Sequence, residues 1–320
     1  MDVTVVIPNY NGIKYMQNCL KSLYEGSYVP KVVVVDNASS DGSLEEARKE
    51  YPQIKTIEFE KNYGFCKAVN VGIKAADTEL VILLNNDTSV DNYFVEKLKG
   101  AIEKRKDAFS VGAKMLSMKE PEKIDDAGDL YCALGWAFAL GKGKEKSAYS
   151  EQKEIFAACG GAAIYRKSMI EEIGYFDENH FAYLEDIDIG YRAKIKGYRN
   201  YFEPEALVYH AGSAVSGSRY NEFKVRLSSR NSVYLICKNM PVLQILLNLI
   251  FLLPGFIVKF LFFLKKGMGK TYIKGLAEGL RLSYSEKGKQ HKMKFEWKLF
   301  SNYVRIQLEL WINFIRKFVG

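Results

Sequence analysis

Cysteine is scarce and without pattern in this chain. Cys19, Cys66, Cys132, Cys159 and Cys237 are odd in number and share no short paired spacing. That excludes a disulfide framework and a zinc site and points to a reducing compartment. A cleavable leader is missing as well: the sequence opens Met-Asp-Val-Thr-Val-Val-Ile-Pro, with an acid at the second position and an apolar run only of strand length, so a cytoplasmic start is expected. No Gly-x-Gly-x-x-Gly follows the first apolar run. Its absence counts against a dinucleotide site, where pyrophosphate needs close backbone approach at a helix N-terminus, and against a nucleotidyltransferase, for which a glycine-rich basic loop is expected at that point. Net charge is almost lacking from the first 264 residues. The overall +8 resides in the stretch from Lys265 to Gly320, where thirteen Lys and Arg stand against four Glu. Such a tail suits nucleic acid or an anionic membrane surface.

What is present is enough apolar material for a core: 320 residues, 48% hydrophobic, fit one large or two modest domains. Residues 3–8 form a β-branched run stopped by Pro8, then a turn at Asn9 to Gly12, then a helical pattern through Met16, Cys19, Leu20 and Leu23. The unit repeats. Val32 to Val35 ends in Asp36-Asn37 before a helix over Leu44 to Tyr51, and Ile54 to Phe59 leads to Asn62-Tyr63-Gly64-Phe65 and a helix through Ala76. Leu80 to Leu84 is a fourth strand ending in Asn85-Asn86-Asp87. Alternation of this kind predicts an α/β fold with a doubly wound, mostly parallel sheet and helices on both faces. Right-handed crossovers then bring the loops bearing Asn9, Asp36, Asn62 and Asp87 to one edge, where open sheets of this kind bind ligands. A lone carboxylate among amides at that edge suits a hard divalent cation that keeps phosphate and water oxygens; an ordinary Asn/Asp turn is the alternative.

Beyond Met115 the pattern loosens, and Lys119 to Asp129 with Gly141 to Lys146 is expected to be a mobile or variable substrate loop. Gly160-Gly161 precedes an apolar strand; the pair permits another molecule to approach the backbone or simply makes a tight bend. Glu185, Asp186 and Asp188 place three carboxylates within four residues at a helix start. The helix dipole favours acids there, but their mutual repulsion calls for a cation, an arginine or hydrogen bonds, and Arg192 is one turn beyond Asp188. His210 leaves a strand into the Gly/Ser loop 211–218 and is read as a phosphate or metal contact or as a structural residue. Arg219, Arg226 and Arg230 follow as anion contacts or a solvated basic face.

These motifs, in this order, resemble the inverting family 2 glycosyltransferases of GT-A fold, and among them rhamnosyltransferase-like members of cell-surface polysaccharide synthesis. The resemblance covers about residues 3–235. It rests on Val-Ile-Pro-Asn-Tyr-Asn-Gly (6–12), Val-Val-Asp-Asn-Ala-Ser-Ser-Asp-Gly (34–42), Asn-Tyr-Gly-Phe-Cys-Lys-Ala-Val-Asn-Val-Gly (62–72), Leu-Leu-Asn-Asn-Asp-Thr (83–88), Glu-Asp-Ile-Asp-Ile-Gly-Tyr-Arg (185–192) and His210. It implies a nucleotide-sugar site made of Pro8, Asn9, Asp36 (base reading), Asn62, Gly64, Asn86 (ribose) and Asp87. Asp87 and His210 would hold Mg2+ or Mn2+, and Asp186 would be the catalytic base. Gly160, Gly161, Glu185, Asp188 and Arg192 are candidates for the acceptor or the diphosphate. Asn85 stands where the family's Asp-x-Asp motif has its first carboxylate, so the cation is expected to be held jointly by Asp87 and the donor diphosphate. The implied reaction moves a sugar, with dTDP-rhamnose favoured over UDP-hexoses, to a hydroxyl of a glycan or lipid-linked glycan. A nonenzymatic nucleotide-sugar binding module is the other reading.

Val242 to Leu264 has the length of a bilayer crossing but contains Asn248, Pro254, Gly255 and Lys259. With the lysines that follow and Trp297 and Trp311 beyond, it is expected to be an in-plane or re-entrant anchor on the cytoplasmic face of the membrane, and nucleic acid is not an expected partner. A buried hairpin of core helices is the alternative. The expected division is a catalytic domain over 1–235 and a helical, basic, membrane-associating region over 236–320.

Overall fold

A computed structural model describes residues 1–212 and 220–319. The first half alternates as the sequence predicts: β1 (Val3–Asn9), α1 (Met16–Tyr24), β2 (Lys31–Asp36), α2 (Ser43–Glu50), β3 (Lys55–Glu58), α3 (Phe65–Ala75) and β4 (Leu80–Leu84). The chain continues through β5 (Thr88–Val90), α4 (Phe94–Glu103), β6 (Ala108–Ser117), β7 (Ile124–Asp126), β8 (Asp129–Cys132), β9 (Trp136–Ala139), β10 (Lys153–Ile155) and β11 (Ala162–Arg166). Then come α5 (Lys167–Ile173), α6 (Glu185–Ile195), β12 (Arg199–His210), α7 (Glu222–Asn239), α8 (Val242–Lys265), α9 (Gly269–Tyr284), α10 (Glu286–Gln290) and α11 (Phe300–Val319).

The main sheet runs β10-β12-β6-β11-β4-β1-β2-β3, with β5 on β12 and β7 on β6. Valine-rich β1, β2 and β4 are covered on both faces, as parallel central strands require. Val3, Val5 and Ile7 enter one apolar layer with α1 and α4, whereas Val6, Val33 and Val35 enter the other with α3. Strands β3, β2, β1 and β4 are parallel, and the register Asn9↔Asp36↔Glu58 aligns their carboxyl ends.

β11 departs from the parallel rule. It is antiparallel to β4, with Ala162 opposite Leu84, so its amino end, preceded by Gly160 and Gly161, meets the carboxyl end of β4. β12 is antiparallel to β5, with His210 opposite Thr88, which returns His210 to Asp87.

Of the two stretches expected to be a substrate loop, 119–129 carries the short strand β7 and 141–146 is mostly turn, while a hairpin lies between them. β7 adds to the sheet through β6, β8 and β9 form a hairpin, and Ile124, Ala127, Leu130, Tyr131 and Cys132 are buried. Strands this short leave too little alternation to be read from sequence.

The expected division between residues 235 and 236 falls inside the continuous helix α7. Leu130, Tyr131 and Phe156 share one apolar cluster with Leu235, Leu252, Tyr303 and Leu310, so the carboxyl-terminal helices are packed onto the sheet domain. Pro254 lies within α8 without ending it, and the expected interruption of that segment is not found.

Candidate active site

Side chains at the carboxyl edge of β1, β2 and β4 are tied together before any ligand is considered. Asn9 is fully buried; its Nδ2 donates to Asp36 Oδ1 (2.6 Å) and Ser43 Oγ (2.8 Å), and its Oδ1 accepts from Asn86 Nδ2 (2.7 Å). Asp36 also accepts from the backbone N–H and hydroxyl of Ser39 (2.8 and 2.6 Å) and is only 2% exposed. It therefore lies under the cleft and organises Asn9 and Ser39, whereas Pro8, Asn9, Asn62, Gly64, Asn86, Asp87 and His210 line an open cavity of about 510 Å³. Asn62 Oδ1 accepts from Gly64 N (2.8 Å). Gly64 has φ +87° and faces the Phe181 ring, which a Cβ would meet at 2.6 Å.

Asp87 and His210 face each other, with Nε2 3.4 Å from Oδ1. The other imidazole nitrogen, Nδ1, is 2.8 Å from Asp125 Oδ2. Burial would lower the imidazole pKa, but hydrogen bonds to Asp125 and Asp87 outweigh it and hold it at about 9. Burial likewise works against Asp125, yet His210 and Lys142 (2.6 Å) keep its carboxyl down at about 2. A carboxylate behind an imidazole whose second nitrogen faces another carboxylate is the arrangement that orients a metal-ligating histidine. Asp87 and His210 thus fit a divalent cation once the imidazole proton is displaced. Asp125 was not singled out in the sequence; the acidic doublet Asp125-Asp126 after Ile124 was its signal.

Across the cleft, α6 begins at Glu185. Asp186 Oδ1 accepts the Gly160 N–H at 3.0 Å, and a Cβ on Gly160 would meet that oxygen at 2.7 Å and the ring of cleft-lining Phe65 at 3.2 Å. Asn85 N donates to Gly161 O (2.9 Å), and a Cβ on Gly161 would meet Asn85 Nδ2 at 2.9 Å. Both glycines therefore serve close approach of β4 and α6. Burial, and then the neighbouring Glu185, push the Asp186 carboxyl well above the ordinary range. Burial raises Glu185 to about 7, and Glu185 Oε2 is buried without a hydrogen-bond partner.

Asp126, Asp129 and Cys159 lie nearby, their ligating atoms all within 4.8 Å of one another. Burial holds the Cys159 thiol protonated and raises Asp126 to about 7. A soft protonated thiol is a poor partner for a hard cation, so Asp87 and His210 remain the better cation site.

Asp188 and Arg192, expected as acceptor or diphosphate contacts, are turned into the interior. Asp188 is fully buried and accepts from Arg192 Nε (3.0 Å), Lys238 Nζ (2.8 Å) and Asn239 Nδ2 (2.8 Å). Arg192 also donates to the carbonyls of Ile173, Gly174 and Tyr175. Two residues on from half-buried Asp186, and so on nearly the opposite side of the helix, Asp188 is turned into the protein. Asp188 and Arg192 do form the expected pair, within α6, and Lys238 and Asn239 tie Asp188 to α7.

The basic residues after His210 also act internally. Arg230 Nη2 donates to the carbonyls of Asn179 and His180 (2.7 and 2.9 Å), and Arg226 pairs with Glu278. Arg219 and residues 213–218 of the Gly/Ser loop lie outside the described residues. Asn231, missed in the sequence, shares its two N–H groups among the carbonyls of His180, Ala182 and Tyr183 (3.0, 2.8 and 2.7 Å). It clamps a segment in which Phe181, Tyr183 and Leu184 have φ of 63°, 71° and 65°, a left-handed run that costs free energy for residues with side chains.

The sheet order and this site define a glycosyltransferase of GT-A fold. The chain belongs to glycosyl transferase family 2, whose sequence profile matches residues 4–174. It is 25% identical over 234 residues to an N-acetylglucosaminyl-diphospho-decaprenol L-rhamnosyltransferase of Mycobacterium tuberculosis, a match covering 64% of this chain and 75% of that protein. Its fold is similar to TarS 1–349 of S. aureus in complex with UDP-GlcNAc, with TM-score 0.61, 19% identity and coverage of 97% and 89% of the two chains. It is also similar to a mannosyltransferase of Pyrobaculum calidifontis in complex with GDP-Man and Mn2+, with TM-score 0.54, 16% identity and coverage of 96% and 86%.

Proposed function

We propose that the chain transfers a hexose, with inversion, from a nucleoside-diphosphate sugar to a hydroxyl of a glycan or lipid-linked glycan, at the cytoplasmic face of the cell membrane. One observation supports the reading: Asp186, a carboxylate biased towards taking up a proton and bonded to Gly160 N–H beside cleft-lining Phe65, follows closely on the segment Phe181 to Tyr183 that lines the same cavity as Asp87 and His210. Asn62, Gly64 and Asn86 shape the nucleoside end, with Asp36 fixing the floor through Asn9. Asp87 and His210 would hold Mg2+ or Mn2+, which supplies charge stabilisation to the departing diphosphate. Asp186 takes the proton of the attacking hydroxyl while that oxygen bonds to the anomeric carbon from the face opposite the leaving group. With Asn85 in place of a second acid, donor and cation bind together.

The favoured donor is dTDP-L-rhamnose, which the rhamnosyltransferase relative supports. A screen of dTDP- and UDP-sugars against a lipid-linked acceptor extract, read by mass spectrometry, tests it. A product gaining a deoxyhexose is expected. Gain of another hexose would replace the donor, and binding of donor with no nucleoside diphosphate released in the presence of acceptor would leave a binding module.

Membrane association belongs to the same proposal. α8 is long and apolar enough to cross a bilayer, with mean hydropathy 2.3 over its apolar stretch, but its inward face carries Gln244 and Asn248 beside Leu252 and Phe263. Gln244 accepts from Tyr191 Oη at 2.7 Å, and Asn248 and Gln307 exchange hydrogen bonds of 2.8 and 2.9 Å. Its outward face bears Leu246, Ile250, Leu253, Ile257 and Leu261, all at least half exposed. A broad apolar face left outward on a helix docked by its other side is the arrangement of a helix lying along a bilayer.

A further inference from the structure

Lys259 is the one charged residue between Val242 and Leu264, and it points inward rather than to water. It is largely buried, with Nζ over the ring of Trp136, 5.4 Å from the centroid. Burial lowers its pKa to about 8; the Cys132 thiol and then the Lys317 ammonium are the groups that bear on it, and among the described residues no carboxylate pairs with it. A lysine normally reaches water or an acid, and here both are replaced by an indole held in place by its own Nε1–H bond to Gly255 O (3.2 Å).

The ammonium lies at a cavity of about 430 Å³ between the β8–β9 hairpin and helices α7, α8 and α9. Trp136, Leu184, Ser232, Phe262 and Phe263 are among its walls. Two features fix its surroundings. Val258 and Phe262, 52% and 40% exposed, belong to the cavity and to the apolar outer face of α8, so it opens towards the surface read above as facing the bilayer. On the inner side, Ala182 and Tyr183 line the donor cleft and Leu184 lines this cavity. Glu185 and Asp186 follow at once. One short segment, Ala182 to Leu184, thus borders both spaces and leads into α6, which carries Asp186.

We propose that this cavity binds the acceptor's anionic linker, a phosphate or diphosphate ester of a long apolar chain, with Lys259 on the phosphate, the chain running out past Val258 and Phe262, and the attached sugar presented at Asp186. An uncompensated cation in an apolar recess calls for an anion that brings an apolar body with it. A soluble phosphate would leave Phe262 and Val258 uncovered, and a neutral lipid would leave Lys259 unpaired. The site rests on the transferase reading only for the sugar; the ester-binding recess stands on Lys259 and its walls.

The test uses the full chain in detergent with EDTA, so that no cation holds a diphosphate in the donor cleft, and farnesyl diphosphate as probe. The ester is expected to bind at least about tenfold more tightly than farnesol or inorganic diphosphate, because a charged hydrogen bond and apolar burial then act together. Lys259→Met, which keeps the apolar stem, should bring the ester down to the farnesol level, and Lys259→Arg should restore most of the affinity. Nucleotide-sugar binding measured with cation should be the same in all three proteins, which also shows that they are folded. Unchanged ester binding by Lys259→Met would overturn the proposal, as would inorganic diphosphate competing as well as the ester. Displacement of the probe by phosphatidylglycerol micelles at equal phosphate would assign the lysine to bilayer headgroups instead. Should the donor screen find no transfer while ester binding still depends on Lys259, the transferase reading fails and this one holds.

Discussion

At the scale of single residues, the proposed chemistry turns on how Asp186 keeps its proton affinity. A base must be ionised to act, and burial followed by the nearby Glu185 raises the Asp186 carboxyl. Transfer should therefore rise with pH, with its acid limb well above the ordinary carboxylate range. Asp186→Asn is expected to keep donor binding and lose about 10²- to 10⁴-fold in transfer; near wild-type transfer would remove Asp186 from the role. Glu185→Gln takes away a like charge and should shift the acid limb to lower pH, so a stationary limb would show that Glu185 does not bear on the base. For the cation, Asp87→Ala should weaken nucleotide binding with metal and leave it unchanged without metal, as read by calorimetry; equal binding in both conditions would sink the assignment. Asp87 and Asp186 could be singled out as candidates because one lies just beyond a strand and the other in the first turn of a helix, within an ordered set of motifs. Asp125 was not, since its only signal was an acidic doublet in a stretch with no clear period, and the tie to His210 is a tertiary contact 85 residues apart in sequence.

At the scale of elements, α7 holds α6 in place. Lys238 donates to Asp188 and Asp177 at 2.8 Å each, with Tyr234 Oη on Asp177 at 2.7 Å, and all of these groups are buried. Removing one partner strands the others, so Asp188→Asn should cost about 3–5 kcal/mol in a urea melt. A loss below about 1 kcal/mol would mean that the network is not needed to seat α6. The sign with pH follows from the shift: burial opposes ionisation of Asp188, but Lys238 and Arg192 hold its carboxyl well below the ordinary value. Its contribution is thus complete above the ordinary carboxylate range and is lost as pH falls from there towards its depressed folded value. The acidic spacing and the Asp188–Arg192 pair were readable from the sequence, but not which acid faces the cleft, because that depends on Lys238 arriving from a helix fifty residues later. The same limit applies to the hairpin β8–β9, whose four-residue strands are too short to show a period, whereas β1 to β4 with their intervening helices were plain.

At the scale of the whole molecule, the start of α8 and the carboxyl-terminal segment from Phe295 to Trp311 border one groove. The exposed Trp297 and the half-exposed Trp311 line an apolar groove of about 450 Å³ with Leu243, Leu247 and Leu308, and lysines 289, 292, 294 and 298 flank it in sequence. Aromatic rings beside lysines, bordering an apolar helix face, match the headgroup boundary of a bilayer. A cytoplasmic leaflet is anionic, and each lysine near it contributes about 1 kcal/mol, screened within a Debye length of about 10 Å at 0.1 M salt. The full chain should therefore cosediment with anionic vesicles, bind neutral ones more weakly, and lose the difference between them as salt rises towards 1 M. The apolar part should resist salt and respond to the outward face instead. Ile250→Glu with Ile257→Glu, both on that face and away from Gln244 and Asn248, is expected to abolish binding to neutral vesicles while leaving nucleotide-sugar binding intact. A chain that stays in solution without detergent and ignores anionic vesicles would place some other occupant on α8. The transferase reading would survive that result, since nothing in the donor cleft depends on where the outer face of α8 rests.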